Sequence, residues 1–283
     1  MTLLVFGRSG QVARELARHI PEGMSARFVS RDEADLADPL ACLAVLKQAA
    51  PDAVINAAAY AGVDRAEDEE ALARRINAET PGVLAMECAA MGVPFVHIST
   101  DYVFDGSGDT AWLPHSPTAP LGAYGRSKLA GEEAVRAAGG AHVILRTSWV
   151  FSAHGSNFVK TMLRLGAERE TLTVVVDQIG GPTPAADIAR TCLALARSLI
   201  NGGKTGTYHY SGAPDISWAG FAREIFAQAD IKALVQDIPS SAFPTPAQRP
   251  SNSRLDCALL ERDHGIPRPD WRAGLRDVLR ELS

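Results

Sequence analysis

Nothing in this chain approaches the run of roughly 18 apolar residues that a membrane span requires, so no spanning helix is expected. Cysteine is scarce. The four present, Cys42, Cys88, Cys192 and Cys257, lie far apart without any C-x-x-C pair, which argues against a disulfide framework or thiolate metal site and leaves them as reduced packing residues. Basic charge is in deficit as well: 28 Lys and Arg stand against 33 Asp and Glu, a net of −5, and no basic block tracks a phosphate backbone. Nucleic acid is therefore not an expected partner. The start, Met1 to Gly7, has no basic residue and only four consecutive apolar positions, too few for a secretory signal, so a cytoplasmic location is the default expectation. What is present is an ordinary globular composition, 46% hydrophobic and 22% charged over 283 residues, enough for a sizeable core.

Short apolar runs alternate with amphipathic stretches. Leu3 to Phe6, Arg27 to Ser30, Ala53 to Asn56, Pro94 to Ile98 and His142 to Arg146 read as strands, separated by helical stretches at Val12 to Ile20, Pro39 to Ala50, Arg74 to Met91 and from Tyr124 onward. Five strands separated by helices predict an α/β fold with a doubly wound parallel sheet. After Trp149 the periodicity weakens and Gly and Pro punctuate the chain. The expected division is a nucleotide-binding domain over 1–148, with a returning strand and helix near 172–200, and a smaller α/β substrate domain over most of 149–283.

The first strand runs into Gly7-Arg8-Ser9-Gly10-Gln11-Val12-Ala13, a G-x-x-G-x-x-A loop opening a helix. Its glycines permit a tight turn, and the amides from Gly7 through Ser9, Gly10, Gln11 and Val12 are placed to meet a pyrophosphate at the helix N-terminus. A dinucleotide is the expected ligand. The second strand ends in Ser30-Arg31 rather than in the acid that grips a ribose 2′-hydroxyl, so Arg31 points to a 2′-phosphate and to NADPH in preference to NADH. Asp35 and Leu36 are candidates to contact adenine. Ala57, Ala58, Ala59 and Tyr60, following the third strand, leave room for the cofactor.

Tyr124 and Lys128, four residues apart, share one helix face. A lysine charge about 5 Å from a phenol is worth about 3 kcal/mol at an effective dielectric near 20, enough to draw the tyrosine toward neutrality. The strand Val96 to Ile98 ends in Ser99-Thr100, and a hydroxyl at the carboxyl end of a central strand is where a doubly wound sheet presents its ligands. Thr100, Tyr124 and Lys128 are thus the candidate catalytic group.

The segments NAAAYAGVDRAE (56–67), STDYVFDG (99–106), YGRSKLAGE (124–132), RTSWVF (146–151), NFVKTML (157–163), DQIGGPT (177–183) and RPSNSRL (249–255), with the loop at 7–15, give the chain a resemblance to the extended short-chain dehydrogenase/reductase family over nearly its whole length. The resemblance implies a Rossmann-like fold and reduction of a keto group on a dTDP-linked deoxysugar by a nicotinamide cofactor. It makes Tyr124 the proton donor, has Lys128 lower its pKa while binding the nicotinamide ribose, and sets Thr100 against the reacting oxygen. It also implies that Asp101, Tyr102 and Trp149 face the sugar and that Asn157 and Arg249 reach the nucleotide half of the substrate. Some members bridge a dimer through magnesium and three glutamates. Here Glu15 and Glu281 match two of them but Ala186 stands at the third, beside Asp187, which argues against a resident Mg2+ and leaves a monomer or homodimer. The competing readings are another nucleotide-sugar reductase or epimerase, and a non-catalytic regulatory subunit of the same fold. Retention of Thr100, Tyr124 and Lys128 together argues against the latter.

Overall fold

The side-chain alternation of the first strand lays out the main layers. In a computed structural model that describes residues 1–283, Leu3 and Val5 of β1 (Thr2–Phe6) join one core cluster while Leu4 and Phe6 join another, because successive side chains of a strand point to opposite faces. A strand covered on both faces must be apolar throughout, which is why it reads LLVF without polar alternation. Pairing to β1 are β2 (Ser25–Val29) and β3 (Ala53–Asn56), and β3 carries β4 (Phe95–Thr100) and then β5 (His142–Thr147). Gly206–His209 adds a sixth strand beside β5, and every pairing in this sheet is parallel.

The order across the sheet is β2, β1, β3, β4, β5 and the sixth strand. Chain direction across the sheet therefore reverses between β1 and β3, and the crevice outside their carboxyl ends is where such sheets take their ligands. One face is covered by the helices Gln11–Arg18 and Ala185–Ile200, which contribute Leu16, Ile188 and Leu195; Leu46 and Leu84 of Pro39–Ala49 and Thr80–Met91 pack on the other. A third cluster, centred on Phe151, Phe221, Phe226 and Trp271, belongs to the later half of the chain.

The strand expected to return to the large sheet near 172 does not do so. Thr171–Val175 pairs with Leu234–Ile238 in a separate two-stranded sheet, and the returning strand is Gly206–His209. Only Leu172 and Val174 of Thr171–Val175 are buried, between exposed Thr171 and Thr173, so the segment has one apolar face where an interior parallel strand needs two. The helix expected over Arg74 to Met91 is likewise interrupted, by a π turn at Arg75–Glu79. That turn carries buried Asn77, whose Nδ2 donates to the Tyr60 carbonyl at 3.0 Å and to Ser127 Oγ at 2.9 Å.

The helix Ala123–Ala137 is fixed to the sheet by a fully buried carboxylate. Glu132 accepts two hydrogen bonds from Arg146 of β5, at 2.8 and 2.6 Å, and one from Ser99 of β4 at 2.6 Å. Burial alone would push this carboxyl up, but the bonds and charge of Arg146, the Ser99 hydroxyl and the Arg136 charge outweigh it and hold Glu132 below its ordinary 4.5. Glu132→Gln strands a buried guanidinium, so a loss of about 3–5 kcal/mol in urea unfolding is expected, with a milder loss when Arg146→Met is added. Because the native carboxyl is depressed, its contribution is full above 4.5 and disappears as pH falls through the native value; wild-type stability should decline there, and the Gln variant should lack that part of the decline.

Candidate active site

Gly7 leaves β1 at φ +115°, a region that side chains avoid, and a Cβ there would stand 3.3 Å from the Ala57 carbonyl carbon and the Ala58 nitrogen. The ends of β1 and β3 can approach this closely only because the position is bare. Gly10 N-caps Gln11–Arg18 without any side-chain hydrogen bond, and the first turn holds no acid. The helix N-terminus is thus left to an anion, and Ser9 and Gly10 are exposed before it. These features fit a dinucleotide pyrophosphate. Val12 is buried in the core beneath the loop. Gln11 faces the later half of the chain, where its Oε1 accepts from Ser152 Oγ and from Asn157 Nδ2, each at 2.9 Å.

At the end of β2, Arg31 is open to solvent and 3.8 Å from Asp35, whose Oδ1 accepts from the Ala37 amide. Leu36 is a core residue packed in the cluster of Phe6 and Val54, and its carbonyl accepts from Thr80, so only its neighbours remain available at the surface. Ala57 and Ala58 are half-buried and Ala59 exposed; the Tyr60 hydroxyl donates to Glu69 Oε2 at 2.6 Å.

Thr100 ends β4 and is 6% exposed. Its hydroxyl donates to Asp101 Oδ1 at 3.0 Å and accepts from the Tyr102 amide at 3.2 Å, and the Tyr124 side chain faces it. Tyr124 reaches it because Gly125 follows: a Cβ there would lie 2.2 Å from the Tyr102 carbonyl oxygen, so only glycine lets the helix settle this low. Tyr102 meets the Tyr124 ring edge-on at 5.6 Å. Removal from water pushes the Tyr124 phenol up to about 12, opposed by the nearby Thr100 hydroxyl. The expected lowering by Lys128 is not seen. Lys128 turns its buried Nζ to the Ile98 carbonyl at 2.6 Å, with His97 Nε2 at 3.5 Å, and burial draws its own pKa down to about 8 against the pull of Glu132.

His97 is fully buried and neutral, its pKa held well below 6.5 by burial and by Lys128. The Asn56 amide stands 3.1 Å from its Nδ1 and accepts from the Ala58 amide at 3.3 Å, so the floor of the crevice and Lys128 are joined through one polar chain. Neither Asn56 nor His97 stood out in sequence, since each sits inside an apolar run where its partner lies a strand away.

Asp101 is buried beside Ser253, and Ser253 lies against Gly180, as does Trp149: a Cβ on Gly180 would be 2.9 Å from Ser253 Cβ and 3.0 Å from the Trp149 ring. Trp149 holds φ +48° and stacks on Trp218 with centroids 3.6 Å apart. Trp218, which opens the helix Trp218–Gln228, went unmarked in sequence because a lone tryptophan ahead of a helix carries no motif. Arg249 Nη2 donates to Asp64 Oδ2 at 2.8 Å across the two halves of the chain. Asn157 is committed elsewhere: its amide donates to Gln11 and to the Ser152 carbonyl, while its oxygen caps the helix Phe158–Glu168 through the Lys160 amide. It joins the phosphate-loop helix to the second half rather than presenting a free side chain.

Glu15 and Glu281 do meet, but around Arg18, whose Nη1 lies 3.5 Å from the first and 2.6 Å from the second, with His154 Nε2 3.3 Å from Glu15. Ala186 offers no oxygen, and Asp187 pairs with Arg190 at 2.6 Å. A guanidinium already bridges the two carboxylates, so this donor set does not fit a divalent cation.

Across residues 1–283 the chain matches the family described as RmlD substrate binding domain. A dTDP-4-dehydrorhamnose reductase of Sinorhizobium fredii is 42% identical, covering 99% of this chain and 97% of that one. Among solved structures, a dTDP-4-dehydrorhamnose reductase of Clostridium acetobutylicum superposes with a TM-score of 0.94 at 35% identity, covering 100% and 99%. That of Bacillus anthracis, in complex with NADP, gives 0.93 at 35%, covering 99% of each chain.

The titration of Lys128 checks the electrostatics of this site directly. In lysine-selective NMR its midpoint should fall near 8, with the ammonium present below and lost above; a midpoint at its ordinary 10.5 would contradict the burial described.

Proposed function

The chain belongs to the RmlD family, that of the dTDP-4-dehydrorhamnose reductases, and we propose on that footing that it reduces the 4-keto group of dTDP-4-dehydro-L-rhamnose to give dTDP-L-rhamnose, the last step of dTDP-rhamnose synthesis. The observation that carries this is the half-buried Tyr124 phenol facing the Thr100 hydroxyl at the carboxyl end of a central strand, in the same sheet as the strand that runs into the Gly7 loop. A nicotinamide cofactor bound along that loop supplies the hydride. The residues of the chain supply the rest. Tyr124 donates its proton to the developing alkoxide, and the high pKa of the phenol keeps it protonated until the oxygen becomes strongly basic. Lys128, held by the Ile98 carbonyl, presents a buried positive charge to the nicotinamide ribose. Thr100 sets its hydroxyl beside the phenol and toward the reacting oxygen, while Asp101, Tyr102, Trp149 and Arg249 line the path for the sugar and its diphosphate. With a division at about 148, the dinucleotide belongs to the first part and the substrate is shared, Asp101 and Tyr102 coming from the first part and Trp149 and Arg249 from the second. A nucleotide-sugar substrate and a diffusible cofactor suit a cytoplasmic enzyme.

The test is oxidation of NADPH or NADH in the presence of the 4-keto sugar nucleotide, made in place from dTDP-glucose by the preceding dehydratase and epimerase. Formation of dTDP-L-rhamnose is expected. Tyr124→Phe should lower kcat by about 10²–10⁴-fold with cofactor binding intact, and near-normal turnover would overturn the assignment of Tyr124. Arg31→Ala should raise the KM for NADPH by roughly tenfold or more while leaving NADH little changed, since a charge-assisted bond to a 2′-phosphate is worth about 1.5–3 kcal/mol.

A further inference from the structure

Lys128 Nζ has two polar neighbours on β4, and they make different demands on it. The Ile98 carbonyl, at 2.6 Å, accepts from it whether the lysine is charged or neutral. What His97 Nε2, at 3.5 Å, can do depends on which ring nitrogen carries the single hydrogen of a neutral imidazole. The neighbouring strand decides this. Asn56 of β3 is the register partner of His97, and its carboxamide meets two groups at once, the Ala58 amide at 3.3 Å and His97 Nδ1 at 3.1 Å. An amide N–H can be met only by the carboxamide oxygen, so the Asn56 nitrogen is turned to the ring and His97 Nδ1 accepts. The ring hydrogen therefore sits on Nε2, against Lys128.

An ammonium has three hydrogens and no lone pair, so it cannot accept from that N–H, whereas a neutral amine can. The two forms of Lys128 thus differ by one hydrogen bond, in favour of the neutral one. Water does not make up the difference, since Lys128 is 2% exposed and His97 0%. The opposing charge is Glu132, one turn along the same helix, which favours the ammonium; Tyr124, one turn before, stays neutral until about 12. From the elements packed against the helix, Arg146 of β5 is spent on Glu132, and Asn77 of the π turn on Tyr60 and Ser127. Burial draws Lys128 down against Glu132, and the His97 N–H acts in the same direction as burial.

We propose that His97 is a positioning residue of the active site: locked by Asn56 as the Nε2–H tautomer, it directs Lys128 onto the Ile98 carbonyl and limits the pH range over which the lysine keeps the charge that holds the cofactor. His97 is fully buried and acts through Lys128. The chain Ala58, Asn56, His97, Lys128 thus runs across two strands, from the end of β3 beside the Gly7 loop to the helix that carries Tyr124. The kinetic consequence rests on the reductase reading. No cofactor oxidation in wild type sinks that reading, whereas the ring tautomer and the Lys128 titration bear on His97 alone.

Isotope-edited nitrogen NMR of the imidazole reads the tautomer directly. Hydrogen on Nε2 with Nδ1 bare is expected in wild type, and hydrogen on Nδ1 overturns the proposal. His97→Leu removes the N–H and leaves the Ile98 carbonyl and Glu132 in place. The Lys128 midpoint, near 8 in wild type, should then rise by about half a unit to one unit, the worth of one hydrogen bond open only to the neutral amine. More ammonium survives at about pH 9, so the KM for NADPH there should be about threefold to fivefold lower than in wild type. A residue that merely supports packing would raise that KM at every pH. A midpoint that stays near 8, as burial alone requires, or that falls, as it must if Nε2 accepts from the ammonium, sinks the proposal. Should the Leu variant fail to fold, Asn56→Ala keeps the imidazole and frees its tautomer: the hydrogen should move to Nδ1, the bare Nε2 should accept from the ammonium, and the Lys128 midpoint should rise. An unchanged tautomer and midpoint in that variant count against the proposal equally.

Discussion

The site depends on one buried carboxylate. Glu132 is bonded at once to Ser99 of β4 and to Arg146 of β5, and it sits one helical turn beyond Lys128 and two beyond Tyr124 on Ala123–Ala137. Ser99 immediately precedes Thr100 and is paired in register with Arg146. The pair therefore sets the height and rotation of the helix against the strand end that carries Thr100, and the phenol meets the threonine hydroxyl as a consequence. A hydrophobic contact at this point could supply similar stability, but it would tolerate sliding of the helix that three directed hydrogen bonds to two strands do not.

Desolvation then orders the three titratable groups above that anchor. Tyr124 rises to about 12, Lys128 falls to about 8 and Asp101 rises to about 6, each displaced toward its neutral form because water is scarce around it. The lysine and tyrosine were paired by their spacing on the helix, yet spacing along a helix states only which face two residues share. Where Lys128 points is decided by Ile98 and His97 on β4, residues nothing local connects to it.

That contrast describes what was legible in the sequence. The phosphate loop, the apolar strands of the sheet and the Tyr-x-x-x-Lys pair are local patterns, readable because their physics closes within about ten residues. The pairing of Thr171–Val175 with Leu234–Ile238, the reach of Asn77 to Tyr60 and Ser127, and the Trp149–Trp218 stack each join segments distant along the chain, and no local pattern announces them. Asn157 is the instructive case. The family resemblance made it a ligand candidate, but an asparagine ahead of a helix is also a capping residue, and here the cap and the bond to Gln11 take up both its amide oxygen and its amide nitrogen.

Among the polar contacts between the two halves of the chain, two are of opposite kind. Gln11 to Ser152 and Asn157 ties the helix under the dinucleotide loop to the second half by neutral, partly buried bonds, which hold whether or not the crevice is filled. Asp64 to Arg249 is a charged pair about one-third exposed on each side, and such pairs contribute little when solvated. A diphosphate entering the crevice can compete for Arg249 at small cost because Asp64, at the surface, regains water when it loses its partner. The pair with Asp64 thus holds the Arg249 side chain in place without leaving its charge unpaired.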